Sequence, residues 1–137
     1  MAEPSRISSA IDATLCVVDG EDSERQSLVE LLGQLGTPVE AFPSAEDFLH
    51  RLAQLNVALL VSSVRLPGIG GIDLLRQLRD RGVTAPTILI SGEGDLQMAV
   101  DAMRAGAVDF IEKPIIDRIV LRRAKSALEG GASASTG

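Results

Sequence analysis

Two rhythms of apolar residues alternate along the chain. Short runs rich in apolar residues stand at 14–18, 38–42, 58–61, 86–90 and 108–111, the second holding Glu40 and the last Asp109. The first, Thr14 to Val18, has no polar alternation, as expected of a strand buried on both faces. Between them the spacing changes to three and four residues: Leu28, Leu31, Leu32 and Leu35, then Phe48, Leu49, Leu52 and Leu55, then Ile72, Leu74, Leu75 and Leu78. That is helical spacing, and it predicts helices over 23–35, 44–55 and 72–81, with two more over 95–105 and 117–128. Ser44, with Asp47 three residues on, is an N-cap signal, as is Asp95, while Gly36, Gly82 and Gly106 fall where helices should stop. Five strands alternating with five helices predict an α/β domain with one parallel sheet covered on both faces. Residues 1–13 lack periodicity and read as a flexible arm; 14–129 form the domain; 130–137 have the composition of a flexible tail or linker. In such a fold chemistry gathers beyond the carboxyl ends of the strands, which points to 18–22, 62–65, 91–93 and 112–114.

Composition narrows the picture. Apolar residues make up 45 % of the 137, yet only three are aromatic, all Phe, so the core must be aliphatic. The net charge is −6, and no basic run exceeds Arg122-Arg123. A nucleic-acid surface needs clustered positive charge, so none is expected on this segment. A single cysteine excludes a disulfide framework and a cysteine zinc site, and Cys16, inside an apolar run, reads as a small buried hydrophobe rather than a reactive thiol. No apolar stretch approaches the ~20 residues of a membrane span, and a signal-peptide pattern is lacking; a cytoplasmic location without membrane contact is the expectation.

The strand ends carry a familiar constellation. Residues Leu60-Val61-Ser62-Ser63-Val64-Arg65-Leu66-Pro67-Gly68 resemble a segment in which an acceptor aspartate stands four residues before a proline. Ser91 resembles the Thr/Ser that follows the fourth strand, and Gly106-Ala107-Val108-Asp109-Phe110-Ile111-Glu112-Lys113-Pro114 resembles the signature of receiver domains of two-component response regulators, in particular the FixJ/NarL-like subgroup. The resemblance covers about residues 14–128. It implies a CheY/flavodoxin-like doubly wound sheet in the order 2-1-3-4-5, and a cis peptide bond before Pro114. The departures matter as much. Where the family ends its first strand in two acids, the second a direct magnesium ligand, this chain has Asp19 and Gly20; where the family has its phosphoacceptor, it has Ser63. The implied site is therefore a degenerate phosphorylation site comprising Asp19, Gly20, Ser63, Ser91, Phe110 and Lys113.

The losses change the chemistry. Magnesium draws one or two carboxylates from a protein, and two have gone, so its binding is expected to be lost or weak; no other cofactor is implied. A serine hydroxyl needs an adjacent base to act as a nucleophile, and His50, the sole histidine, belongs to the second predicted helix. Phosphoryl uptake at Ser63 is not expected, and neither is enzymatic activity. Without metal, Lys113 is expected to pair with Asp19. The reading that results is an atypical receiver acting in signal transduction or transcription control through phosphorylation-independent protein–protein interaction. Its alternatives are a phosphoryl-accepting receiver with an unusual acceptor or metal set, the receiver part of a longer DNA-binding regulator, and a small flavodoxin-like enzyme or nucleotide binder. The expected partner is a protein: a regulator, a kinase or a second copy. By resemblance, a weak homodimer would form through the fourth helix and fifth strand. Ala99, Ala102 and Met103 fall at core spacing, which would leave Val100 and Arg104 outward with Ile111 extending the patch.

Other features have plainer readings. Gly68, Gly70 and Gly71 are turn glycines, since no Gly-Lys-Ser/Thr follows them as a phosphate-binding loop requires. Glu21, Asp22 and Glu24 suit a helix start. Arg118, Arg122 and Arg123 make a solvated helix face, and Phe110 could pack inward as core or turn outward.

Overall fold

The structure is a computed structural model that describes residues 12–136. Five strands, β1 (Ala13–Val18), β2 (Val39–Phe42), β3 (Asn56–Ser63), β4 (Thr87–Ser91) and β5 (Asp109–Glu112), form one parallel sheet in the order 2-1-3-4-5. The helices between them are α1 (Asp22–Gly33), α2 (Ala45–Arg51, continued by a 3-10 turn at Leu52–Gln54), α3 (Gly71–Asp80), α4 (Leu96–Ala105) and α5 (Asp117–Thr136). The order reverses between β1 and β3, and that reversal opens the crevice where sites of this fold are found.

Alternation along each strand divides the core. Leu15, Val17, Leu59, Val61, Ile88 and Ile90 point to one face, against Leu28, Leu31 and Leu32 of α1 and Val120 and Ala124 of α5. Cys16, Val18 and Leu60 point to the other, against Phe48 of α2 and Leu74 and Leu78 of α3. Burying each such aliphatic side chain contributes on the order of 1.5–3 kcal/mol, and the central strands β1, β3 and β4 read as near-continuous apolar runs because both faces are covered. Cys16 is one of these buried residues, and burial pushes its thiol up to about 12, so it behaves as a hydrophobe. Phe42 and Phe48 meet edge to face at 5.4 Å.

Capping follows local chemistry. Ser44 Oγ accepts from Asp47 N at 3.1 Å, Asp95 Oδ1 accepts from Met98 N at 2.8 Å, and Gly106 ends α4 in the left-handed region at φ 110°. Three expectations need correction. The last helix does not stop near Leu128 but continues to Thr136; Gly130 and Gly131 cost a helix only about 1 kcal/mol each, and alanines follow them. Residues 1–11 of the expected arm lie outside the described residues, while Ala13 already belongs to β1. Ile111 is not on an outer patch: it is 7 % exposed, in the core beside Val120 and Ala124. Parity on β5 decides this, because the residue after Phe110 faces the opposite side of the sheet.

Candidate functional site

Register brings the strand ends level. Val18 pairs with Ser62, Ser63 with Ile90, and Ser91 with Glu112. Asp19, Ser63, Ser91 and Lys113 therefore stand at one rim. Asp19, Gly20, Ser63 and Lys113, with Glu21, Glu24, Arg65, Pro67 and Glu93, line a cleft of about 820 Å³.

Asp19 is 3 % exposed, and its Oδ1 accepts from Glu21 N at 2.9 Å. Burial raises its pKa, and the nearby Glu24 carboxylate adds to the rise, while the Glu21 amide and the charge of Lys113 oppose it. A buried carboxylate with another beside it keeps its proton to a higher pH than a free one does. Arg25 reinforces this corner, donating to the Asp19 carbonyl at 2.8 Å and pairing with Asp22 at 2.5 Å.

Ser63, also buried, donates from Oγ to the carbonyl of Arg65 at 3.1 Å, within its own loop. Ser91 accepts from Glu93 N at 3.1 Å and approaches Met98 Sδ at 3.3 Å. At Gly20 an added β-carbon would meet Pro67 Cδ at 2.9 Å, so the loop after β3 closes over the position. Glu46 holds that loop from α2, accepting from Ile69 N at 3.0 Å beneath Gly68, whose φ of 71° a side chain would strain. Arg65 and Glu93 form an exposed ion pair at the cleft mouth.

The expected Asp19–Lys113 ion pair is not formed. Lys113 Nζ instead pairs with Glu24 Oε1 at 2.7 Å. Glu24 reaches it because α1 turns the same stripe inward at Glu24, Leu28 and Leu31, four and three residues apart. That spacing was the signal in the sequence, hidden behind the plainer reading of a charged helix start. The Lys113 stem runs beside Gly92, where a β-carbon would lie 3.4 Å from Lys113 Cδ, and Lys113 N donates to the Ser91 carbonyl at 2.9 Å. The Lys113–Pro114 bond is cis. Phe110 is half-buried, packs with Leu89 and Ala102, and abuts Gly94, so it belongs with the core and touches the β4–α4 loop.

Helix α4 presents a different face from the one its spacing predicts. Ala102 alone is fully buried; Met103 is 49 % exposed, Leu96 is 82 % exposed, Arg104 is exposed and Val100 is half-buried. The outer strip is lined by Ala99, Val100, Met103 and Arg104. Among the described residues no group of three or more His, Cys, Asp or Glu side chains is arranged to hold a metal ion, and no helix is long and apolar enough to cross a membrane.

A parallel 2-1-3-4-5 sheet with its polar residues gathered at the strand ends defines the class: a doubly wound receiver-type signalling domain. Residues 15–125 match the family model of the response regulator receiver domain, and the chain belongs to that family. It is 42 % identical to the transcriptional regulatory protein FixJ of Rhizobium meliloti over 118 residues, covering 86 % of this chain and 58 % of FixJ. It is 36 % identical to the response regulator protein TmoT of Ectopseudomonas mendocina, covering 86 % of this chain and 54 % of TmoT. The chain thus spans little more than half the length of these relatives. Among solved structures, the crystal structure of FixJ-N superposes with a TM-score of 0.78 at 43 % identity, covering 86 % of this chain and 94 % of that one. The BeF3-activated DrrB receiver domain gives 0.78 at 29 % identity, over 85 % and 97 %.

Proposed function

We propose that this receiver domain signals by protein–protein interaction without taking up phosphate. The observation that carries the reading is the state of Ser63. At the strand end where the family's acceptor carboxylate belongs, this hydroxyl donates to a backbone carbonyl of its own loop, and the one histidine of the chain, His50, lies in the last turn of α2. A hydroxyl without a base is a poor nucleophile for phosphoryl transfer. Magnesium does not fit the residues present. Gly20 offers no carboxylate and is covered by Pro67, Glu24 is engaged by Lys113, and Asp19 alone cannot supply a magnesium site.

The output is contact with a protein, and the outer strip of α4 around Val100, Met103 and Arg104 is the surface we assign to it, with a weak homodimer as one form. Because the match spans only 58 % and 56 % of two relatives named as transcriptional regulatory proteins, the domain also suits the receiver part of a longer regulator that controls transcription.

Incubation with phosphoramidate and magnesium followed by intact-mass measurement tests the reading. No mass gain is expected, against full modification of a receiver with an intact acceptor run alongside. A phosphoryl adduct on the chain would overturn it and establish an unusual acceptor.

A further inference from the structure

We propose that Glu24 is a built-in counter-ion that replaces the missing acceptor carboxylate, holding Lys113 and the β5–α5 segment against α1 without any phosphoryl group. This rests on the reading that Ser63 is not phosphorylated. The argument begins with charge. A lysine directed into a rim made of strand ends needs an anionic partner, because a partly buried ammonium left unpaired is costly. Ser63 supplies no charge, and its hydroxyl is engaged with Arg65. Asp19 is buried and held by the Glu21 amide. Glu24 is the carboxylate that reaches Nζ, at 2.7 Å, with side-chain exposures of 32 % for Lys113 and 13 % for Glu24.

The geometry of the surroundings makes the pair a mechanical link. On one side, Arg25 fastens the first turn of α1 to the end of β1 through the Asp19 carbonyl at 2.8 Å. On the other, Lys113 N is bound to the Ser91 carbonyl at 2.9 Å, so β5 and β4 move with it. The Glu24–Lys113 bond joins these two fixed bodies. Beside the pair, Glu24, Leu28 and Leu31 of α1 and Lys113, Pro114 and Ile115 line one groove of about 400 Å³. Glu24 is thus a positioning residue, acting on the working surface through Lys113, and the arrangement it stabilises is independent of input phosphate.

Hydrogen–deuterium exchange on the full chain, without phosphodonor or magnesium, tests this. Glu24→Gln should speed exchange across 113–117 by about tenfold, the loss expected for one charge-assisted hydrogen bond, while Glu21→Gln, one turn away on the cleft rim, should leave it unchanged. The charge-swapped pair Glu24→Lys with Lys113→Glu should recover most of the protection that either single variant loses, an effect that a merely structural role for either side chain would not produce. Unchanged exchange in Glu24→Gln, equal acceleration in Glu21→Gln, or a swapped pair as fast as its single variants would each overturn the proposal. A phosphoryl adduct in the mass experiment together with a loosened Glu24→Gln segment would sink the phosphate-independent reading and leave the counter-ion role standing; no adduct with an unchanged segment would do the reverse.

Discussion

A β-carbon on Gly20 would stand 2.9 Å from Cδ of Pro67, closer than such contacts occur. The loop after β3 thus fills the room in which a second strand-end acid would begin. Gly20→Ala should already cost about 1–3 kcal/mol in urea denaturation, the usual penalty of overpacking, and the cost should shrink in a Pro67→Ala background, because residues in contact are not additive. With Pro67→Ala to clear that room, Gly20→Asp combined with Ser63→Asp should restore magnesium binding and phosphoryl uptake. It should be less stable than the natural chain in metal-free buffer, where carboxylates crowd one site, and magnesium should reverse the loss. Calorimetry and intact mass read the first pair of outcomes, and melting with and without metal the second.

Asp19 sets a pH dependence. Burial raises its folded pKa above the ordinary 3.8, so the folded state binds this proton more tightly than the unfolded one. The stability linked to the group is therefore present below the ordinary value and is lost as pH rises through it toward the raised folded value. Asp19→Asn keeps the oxygen that accepts from Glu21 N and removes the charge. It should melt higher than the natural chain at pH 7, with the difference closing below pH 3.8; a lower melting point at pH 7 would contradict this.

At the opposite end of the sheet, Arg79 donates to the carbonyls of Val83, Ala85 and Gly106 at 2.9, 3.0 and 3.1 Å. Burial lowers its pKa, yet a guanidinium stays charged, and its planar fork suits three acceptors that an ammonium could not reach together. Arg79→Met should cost about 2–3 kcal/mol in chemical denaturation, and Arg79→Lys should recover less than half of it.

The α4 strip gives a prediction about association. Leu96 at 82 % and Met103 at 49 % exposure are apolar groups turned to solvent. Sedimentation of the natural chain should show a weak dimer, and Met103→Asp or Val100→Asp should weaken it by about tenfold, as loss of a central apolar contact does. Identical profiles for all three chains, with Arg104→Glu unchanged as well, would remove this face.

Much of the architecture was legible because it is local. The five apolar runs, the caps at Ser44 and Asp95 and the turn at Gly106 depend on neighbours a few residues away, and strand order followed from the family resemblance. The errors came from phase and distance. Helical spacing marks a stripe on α4 but not which flank of it meets the sheet; α4 packs through Ala102, and Met103 is left outside. On β5 a one-residue parity separates Phe110 from Ile111. The sequence does not single out the partner of Lys113, because both Asp19 and Glu24 carry the required charge and the choice depends on how α1 is rotated against the sheet. Pro67 over Gly20 could not be read at all, since it depends on the path of a loop.

The ion pair between Glu24 and Lys113 spans 89 positions, so it encloses most of the chain in a single loop. Contacts that distant repay their closure entropy only after the intervening strands have assembled. On that ground the pair is expected to form after the folding barrier, and its loss should leave the refolding rate nearly unchanged while hastening unfolding. A contact at the rim of the sheet would then act as the clasp that sets how long the native domain persists once made.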